Sequence, residues 1–353
     1  MIRLALLLLV PIAPAAAYGL HLAAPWVFLA GIVGIGVLAE WIRAATEQLA
    51  LHTGPAVGGL LAVSLGSVAE FVLVMFVLVR GETEVVHAQI TGSIIGTCLL
   101  GLGLAIVVGG LTRERQKFKG ARAGLLSSLL ILAVIALLLP AVFDYTGRSI
   151  RHTANVDLSD EALSLVVSVV LLLIYAANLV YTLITHRDVF ATGVESDDKP
   201  RWSAPVCLIV LAAGTAAAAL ESELVSGALT DTASTLHLTP LFLGVIVLAL
   251  VGTSADIFSA VWFAHRNQMG LVMSICIGSA IQVALVVAPL LVIVSWLLGA
   301  PMTLVFTNPM DLFSIAGTAL IVNSVAGDGE TTWFEGILLL GVYFVLAMAY
   351  FLT

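Results

Sequence analysis

The feature that most constrains this chain is a series of long apolar stretches, separated by short breaks that contain charged residues, Gly or Pro. A helix crosses the hydrocarbon core of a bilayer in about 20 residues. We count eleven stretches of roughly that length, at residues 3–20, 25–48, 55–80, 84–111, 120–143, 161–186, 202–226, 238–265, 268–299, 305–325 and 332–352. They lack the alternation of membrane β-strands. The sequence therefore predicts an all-α integral membrane protein with about eleven transmembrane helices.

The composition excludes several classes of function. Hydrophobic residues make up 61% of the 353 residues and charged residues 10%, whereas a soluble domain is about one-quarter charged. No basic stripe suggests a nucleic-acid partner. Cys98, Cys207 and Cys276 lie in apolar stretches and are interpreted as packing residues rather than a disulfide or metal framework. With no CxxC or HExxH spacing, the sequence indicates neither an enzyme nor an organic cofactor.

Basic residues predict the orientation of the helices, because cytoplasmic loops are enriched in Lys and Arg. With the N-terminus inside, the inside collects Arg3, Arg43, Arg113, Arg115, Lys117, Lys119, Arg122, Arg187, Lys199, Arg201 and Arg266, and the outside Arg80, Arg148 and Arg151. We therefore predict a multi-pass inner-membrane protein with a cytoplasmic N-terminus and a C-terminus on the opposite side. The alternative is a signal peptide cleaved near Ala15 or Ala17, which the charge pattern does not require.

An internal repeat is the most informative pattern. Gly66-Ser67-Val68-Ala69-Glu70 aligns with Gly252-Thr253-Ser254-Ala255-Asp256, and the same offset, without a gap, aligns Arg80 with Arg266 and Gly92-Ser93 with Gly278-Ser279. The repeated units fall in the third and eighth stretches. Because these are five apart, the two copies enter the membrane in opposite directions. Inverted repeats of this kind are typical of secondary transporters, whose binding site lies between the halves.

The repeat predicts the domain organisation. Residues 1–22 form an extra first helix, 23–186 the N-terminal repeat of five helices, and 201–353 the C-terminal repeat of five helices. Residues 187–200 form an acidic cytoplasmic linker, with Asp188, Glu195, Asp197 and Asp198. This linker is interpreted as a solvated connector, with a cation-collecting regulatory segment as the alternative.

Glu70 and Asp256 are the strongest candidates for a functional site. Each lies well inside an apolar stretch, where a charged side chain costs at least about 2.5–3.5 kcal/mol. Two facing carboxylates offer hard oxygen ligands to one divalent cation, and their mutual repulsion favours protonation when the cation leaves. One site that binds a cation or protons is what an antiporter requires. The alternative is a pair of structural acids bonded to neighbouring hydroxyls.

Glycines and neutral oxygens surround both acids in the sequence. Gly66, Gly252, Gly92 and Gly278 allow close backbone approach or local unwinding. The candidate oxygen ligands besides the acids are Ser67, Thr253, Ser93, Ser279, Gln282 and Thr97, with Ser254 in the same region. A single Ser or Thr in a membrane helix more often bonds its own backbone, so only the combination favours a cation site.

Other polar residues in the stretches are weaker candidates. Glu40, Arg43 and Glu47 share a helical face and are interpreted as an interfacial ion pair. Glu221 and Glu223 lie near the predicted outer end of the seventh stretch. They are interpreted either as residues through which protons reach the site or as residues that mark the end of a helix. Asp311, Asn323, Asp328, Glu330 and Glu335 bracket the last two stretches and are interpreted as boundary residues, and His87 as structural.

The sequence resembles the cation/proton exchanger family (Ca2+/H+ antiporters) within the calcium/cation antiporter superfamily. The resemblance rests on the repeat units and on Ala45–Ala50, Thr53-Gly54-Pro55, Gly58–Leu61, Gly92–Ile94, Gly278-Ser279 with Gln282, Val287–Leu291, Val322-Asn323, Asp328–Glu330 and Trp333–Gly336. It implies eleven helices, two inverted five-helix repeats after a first helix, and an acidic segment between the halves. It also implies that paired acids, here Glu70 and Asp256, bind Ca2+ or protons alternately.

The sequence departs from this family's pattern at several positions. The family signature is Gly-Asn-x-x-Glu in both halves, and here Ser67 and Thr253 replace the Asn residues while Asp256 replaces the second Glu. Thr97 stands where an Asn is usual. These departures put the identity of the cation in question. Ca2+ exchanged for protons is the expected activity, and a Na+-coupled cation exchanger of the same fold is the alternative.

Two other classes of function are disfavoured. An intramembrane aspartyl protease would need a partner for Asp328, which follows Gly327 but lies at a membrane edge without a Tyr-Asp motif. A channel built from rings of charge is not evident. The expected partners are an inorganic cation, protons and the lipid bilayer, and a homo-oligomer is compatible with the sequence.

Overall fold

The computed structural model describes residues 6–65, 67–111, 113–151, 156–182 and 200–353. Of the predicted features, Arg3, Gly66 and the linker residues up to Lys199 lie outside this part of the chain. The described residues form eleven helical segments, α1 to α11 in chain order. They are Leu7–Gly19, Ala24–Leu65, Val68–Val79, Thr83–Gly110, Gly120–Tyr145, Val156–Val180, Ala204–Leu236, Pro240–His265, Met269–Leu297, Pro309–Gly327 and Trp333–Leu352.

Nine of the described helices are long and apolar enough to cross a membrane, and α1 and α3 are shorter apolar helices. The chain is therefore a multi-pass, all-α membrane protein. Most predicted boundaries lie within a few residues of the helix ends. Two differ more. Helix α2 continues to Leu65 through Pro55, past the predicted break at residues 49–54, because membrane helices tolerate Gly and Pro when neighbours satisfy the backbone. Helix α7 continues to Leu236, ten residues beyond the predicted end at residue 226.

Helix ends recur at the offset of the sequence repeat. Helices α4 and α9 begin at Thr83 and Met269, and α3 and α8 end at Val79 and His265, so both pairs have the spacing that separates Gly66 from Gly252. Helices α4 and α9 also each contain a wider π-helical turn, at Gly96–Gly101 and Val283–Val287. The last residues of these two turns, Gly101 and Val287, have the same spacing as the repeat. The repeat is therefore visible in local structure as well as in sequence.

The described chain divides into two compact units. The first comprises Met1–Val86 and Leu179–Ala255 with Thr353. In it, α2 and α3 pack against α7. A buried cluster of Leu38, Ala39, Ile42, Ala69 and Ala218 joins these three helices.

The segment that enters α7 is fixed to α2 by side-chain contacts. A ring nitrogen of His52 bonds to the carbonyl oxygen of Trp202 at 2.7 Å. The backbone N–H of Arg201 donates to Oε1 of Gln48 at 2.7 Å, and the rings of Trp41 and Trp202 stack with centroids 5.7 Å apart. These contacts hold Arg201 and Trp202, which directly follow the predicted linker at residues 187–200, against α2.

The second unit comprises His87–Asn178 and Asp256–Leu352. Helix α10 packs against α5, α11 against α4, and α9 against both α4 and α5. Helices α4 and α11 approach closely at Gly336, where an added Cβ would lie 2.8 Å from the carbonyl oxygen of Gly103. Close backbone contact through small residues is typical of helix packing in membranes, where lipid removes the hydrophobic driving force.

Three loops of the second unit are held by contacts at their ends. The loop before α5 and the loop before α11 form a short antiparallel β pair, Gln116–Lys117 with Glu330–Thr331. The loop before α10 is held by His87, whose ring nitrogen bonds to the carbonyl oxygen of Thr303 at 2.8 Å. It is also held by Ser164, whose hydroxyl accepts a hydrogen bond from the N–H of Leu304 at 3.0 Å.

Candidate cation site

Glu70 lies where the helical path is interrupted. Helix α2 ends at Leu65, α3 begins at Val68, and Glu70 is in the first turn of α3. Ser67 stands immediately before this turn. Glu70 is 4% exposed. A carboxylate in the first turn of a helix is favoured by the unpaired backbone N–H groups there, and broken helices with this geometry form the ion sites of many transporters.

The repeated Gly252 packs directly against Glu70. A Cβ added at Gly252 would lie 3.1 Å from Cγ, 3.4 Å from Cδ and 3.5 Å from Oε1 of Glu70. The absence of a side chain at Gly252 therefore lets α8 approach the carboxylate. Within the first unit, this contact places Gly252 of one repeated Gly-x-x-Ala-acid unit against Glu70 of the other.

Two of the predicted hydroxyl ligands donate their protons to their own helices. The hydroxyl of Thr253, which is 1% exposed, donates to the carbonyl oxygen of Ala249 at 2.8 Å. In the second unit, the hydroxyl of Thr97 donates to the carbonyl oxygen of Ser93 at 2.8 Å. Back-bonding of this kind directs the proton away, so the lone pairs of the hydroxyl oxygen stay available to a cation.

Three helices of the second unit converge near Asp256. An added Cβ at Gly101 would lie 3.0 Å from Cγ1 of Ile257, the residue after Asp256, and 3.8 Å from Sγ of Cys276. The Cys98 thiol also approaches the carbonyl oxygen of Cys276 at 3.9 Å. The structure therefore brings together the helices that carry Thr97, Asp256 and Ser279.

The remaining predicted ligands lie on these same helices. Ser93 and Thr97 are fully buried, and Ser279 is 5% exposed with a buried hydroxyl that has no hydrogen-bond partner in the described chain. Gln282 is half-buried at the end of the regular part of α9, directly before its π-helical turn. The two acids fall in different units, Glu70 in the first and Asp256 in the second. Among the residues described, no group of three or more His, Cys, Asp or Glu side chains is arranged to hold a metal ion.

Comparison with known protein families identifies the family to which this chain belongs. The family model described as sodium/calcium exchanger protein matches residues 23–184 and 206–352. The chain belongs to the sodium/calcium exchanger family. Each matched segment of this family member contains one of the two repeated acids, Glu70 in the first and Asp256 in the second.

Individual relatives of this sodium/calcium exchanger family member match along nearly its whole length. The Ca2+/H+ antiporter of Synechocystis sp. is 39% identical over 345 residues, which covers 92% of this chain and 90% of that protein. The Ca2+/H+ antiporter ChaA of Bacillus subtilis is 37% identical and covers 94% of both chains. The crystal structure of the Ca2+/H+ antiporter protein YfkE is similar with a TM-score of 0.84 and 32% identity, over 100% of this chain and 99% of that chain.

The structure adds detail to two weaker candidates. Asp311 lies at a helix boundary, in the first turn of α10, but it is buried, with 1% exposure, and accepts a hydrogen bond from the hydroxyl of Tyr350 at 2.7 Å. Glu221 is not at a helix end, because α7 extends well beyond it to Leu236. Arg43 pairs with Glu40 at 2.9 Å and also with Glu47, so the predicted ion pair forms. The π-helical turns were not predicted from the sequence.

Proposed function

We propose that this chain is a secondary antiporter that exchanges Ca2+ for protons across the inner membrane by alternating access. The observation that carries the proposal is the buried Glu70 in the first turn of a broken helix, packed against the repeated Gly252. A Ca2+ ion prefers several oxygen ligands, including carboxylates, carbonyls and hydroxyls, and the helices around the two acids carry all three kinds. Relatives that are 37–39% identical over most of the chain and are named Ca2+/H+ antiporters support the same cation and coupling ion.

In the proposed site, Glu70 and Asp256 bind the cation together, with Ser67, Thr253, Ser93, Thr97, Ser279 and Gln282 as neutral oxygen ligands. The pairing of the two acids rests on their equivalent places in the repeat. When Ca2+ leaves, the carboxylates repel each other in a poorly solvated site, so protons replace the cation. The cation and the protons are therefore alternative occupants of one site. The site carries Ca2+ in one direction and protons in the other, never both together.

The proposed architecture has eleven transmembrane helices. The first helix, residues 1–22, precedes inverted five-helix repeats at residues 23–186 and 201–353, joined by the linker at 187–200. Loop contacts support the alternation of sides. The loops before α5 and α11 pair with each other, as two cytoplasmic loops would. His87 at the start of α4 bonds to the loop before α10, as two outer segments would.

Impermeant thiol reagents test this orientation on intact cells. The native Cys98, Cys207 and Cys276 are buried, so a single introduced cysteine dominates the signal. We expect labelling of Ala300→Cys, in the exposed outer loop before α10, and no labelling of Glu114→Cys, in the exposed inner loop before α5. Permeabilised cells provide the control, because both variants should then react. Labelling of Glu114→Cys in intact cells would reverse the orientation.

Cation uptake by reconstituted vesicles tests the activity. With a pH gradient imposed, we expect uptake of Ca2+ that stops when a protonophore collapses the gradient. Parallel vesicles offered Na+, K+ or Mn2+ measure whether Ser67, Thr253 and Asp256 change the selectivity. Uptake driven by a Na+ gradient and indifferent to protonophore would instead select the Na+-coupled alternative, and no pH-driven uptake of any cation would contradict the proposal.

A further inference from the structure

Glu221 is a buried acid that the proposed cation site does not use. It lies near the middle of α7 and is 1% exposed. Its Oε2 atom is buried without a hydrogen-bond partner among the residues that the structure describes. An ionisable side chain inside a membrane protein is costly unless it is paired or functional, so the lack of a partner at Glu221 requires an explanation.

Helix α2 makes room for this carboxyl group with two glycines. A Cβ added at Gly34 would lie 3.1 Å from Cδ and 3.3 Å from both carboxyl oxygens of Glu221. A Cβ added at Gly31 would lie 3.6 Å from Oε2 of Glu221 and only 2.5 Å from Cγ2 of Val225. The carboxyl group therefore lies against α2 at its two glycines. These surroundings suit a neutral, protonated acid and do not suit a carboxylate.

No neighbouring charge in the described part of the chain neutralises Glu221. The titratable and charged groups on α7 and on the elements packed against it are Tyr18, Glu40, Arg43, Glu47, His52, Glu70, Arg80, Cys207, Glu223, Asp231, Asp256 and His265. Both arginines are engaged elsewhere. Arg43 pairs with Glu40 and Glu47, and Arg80 donates to the hydroxyl of Ser226 at 3.0 Å and to the carbonyl oxygen of Glu223 at 3.4 Å.

The same surroundings exclude a second metal site at this position. A hard divalent cation needs six to eight oxygen ligands, or several waters with a few protein oxygens. In the described part of the chain, no group of three or more His, Cys, Asp or Glu side chains is arranged to hold a metal ion, so Glu221 has no such acidic partners. A proton is the occupant that fits a single buried carboxyl group.

The position of Glu221 along α7 relates it to the cation-binding acid of the same unit. Ala218, three residues before Glu221, belongs to the buried cluster that contains Ala69, the neighbour of Glu70. Three residues are about one helical turn. In the other direction, Ser226 binds Arg80 at the end of α3. Glu221 therefore lies along α7 between the level of Glu70 and the Arg80 end of the unit, which the charge pattern predicts to be the outer end.

We infer that Glu221 is a proton-binding site, separate from the cation-binding acids, which takes up and releases a proton during each exchange cycle. The inference rests on the proposed Ca2+/H+ exchange. Release leaves a carboxylate and transfers the proton to water, and uptake reverses this step. Because the carboxylate does not suit the glycine-lined contact between α2 and α7, each loss of the proton favours an arrangement in which that contact opens. Protonation of Glu221 thereby couples proton movement to helix packing.

Two modes of transport in reconstituted vesicles separate this role from a structural one. Exchange of labelled Ca2+ for unlabelled Ca2+ at equal pH needs no net proton movement, whereas pH-driven Ca2+ uptake does. In Glu221→Gln, which keeps the shape of the protonated acid, we expect pH-driven uptake to fall on the order of tenfold or more, with Ca2+/Ca2+ exchange within about twofold of wild type. Glu221→Asp, which still ionises, should retain more pH-driven uptake than Glu221→Gln.

Glu223→Gln is the matched control, because Glu223 lies on the same helix with an exposed side chain and should leave both modes unchanged. Infrared difference spectra of the purified protein provide a readout besides transport. We expect a protonated carboxyl band that responds to pH, is lost in Glu221→Gln and persists in Glu223→Gln. Unchanged pH-driven uptake in Glu221→Gln, an equal fall of both modes, or an unaltered carboxyl band would overturn the inference. Wild-type vesicles without any pH-driven uptake would instead contradict the proposed function.

Discussion

Replacing Glu70 by Gln, or Asp256 by Asn, is expected to abolish exchange and leave the protein folded. Each amide keeps the shape of the acid but supplies no negative charge to a divalent cation and cannot exchange a proton. For Glu70, which is 4% exposed and in contact with Gly252, the amide also preserves the packing against α8. Ca2+ uptake should therefore fall to the level of protein-free vesicles in both variants.

The control for this pair is Glu47→Gln, which removes an acid from α2 whose side chain is 54% exposed and paired with Arg43. An exposed ion pair of this kind contributes at most about 1 kcal/mol, so exchange should persist. An elution profile and thermal transition like those of the wild type would show that the inactive variants are folded. Retained exchange in Glu70→Gln or Asp256→Asn would remove that residue from the mechanism.

The second large effect is expected on stability, from Gly336→Val in α11. An added Cβ at Gly336 would lie 2.8 Å from both the carbonyl oxygen of Gly103 and Cγ2 of Val107, and 2.9 Å from the backbone nitrogen of Val107. Because two of these atoms are backbone, relief requires the helices to separate. Overpacking typically costs about 1–3 kcal/mol, and occasionally more. We expect a clearly lower apparent Tm, measured by thermal denaturation in detergent.

Gly341→Val is the matched control for this prediction. Gly341 is on the same helix, and an added Cβ there would meet no atom within 4 Å. Its valine variant should keep the apparent Tm of the wild type, which separates the effect of the contact from that of replacing glycine in a helix. An apparent Tm for Gly336→Val equal to that of the wild type would contradict the close packing of α11 against α4.

Helix positions were predictable where charged residues or glycines close an apolar stretch. The fourth stretch was expected at residues 84–111 and is found at Thr83–Gly110, followed by the basic loop that begins at Arg113. The end of α7 was not predictable in this way. Glu221 and Glu223 signal a boundary to any hydropathy reading, yet Glu221 is buried against glycines of α2. The sequence alone does not distinguish an acid at a helix end from one enclosed by a neighbouring helix.

For the candidate cation site, the sequence repeat identified which residues belong to it but not which of them touch each other. The constant offset between the two halves singled out Glu70 and Gly252 as members of equivalent units. That Gly252 packs directly on the Glu70 side chain depends on the tertiary arrangement of α3 and α8, which no local pattern encodes. The back-bonding of Thr253 and Thr97 likewise depends on side-chain rotamers. Joint binding of one cation by Glu70 and Asp256 is the central claim of the proposed mechanism.

Proton release on Ca2+ binding tests that central claim most directly. The purified protein in weakly buffered detergent solution is titrated with Ca2+ while a pH indicator records protons released. If Ca2+ and protons compete for Glu70 and Asp256, Ca2+ should release protons, its affinity should fall as the pH is lowered, and the Glu70→Gln/Asp256→Asn variant should release none. Ca2+ binding without proton release, at an affinity independent of pH, would contradict the account.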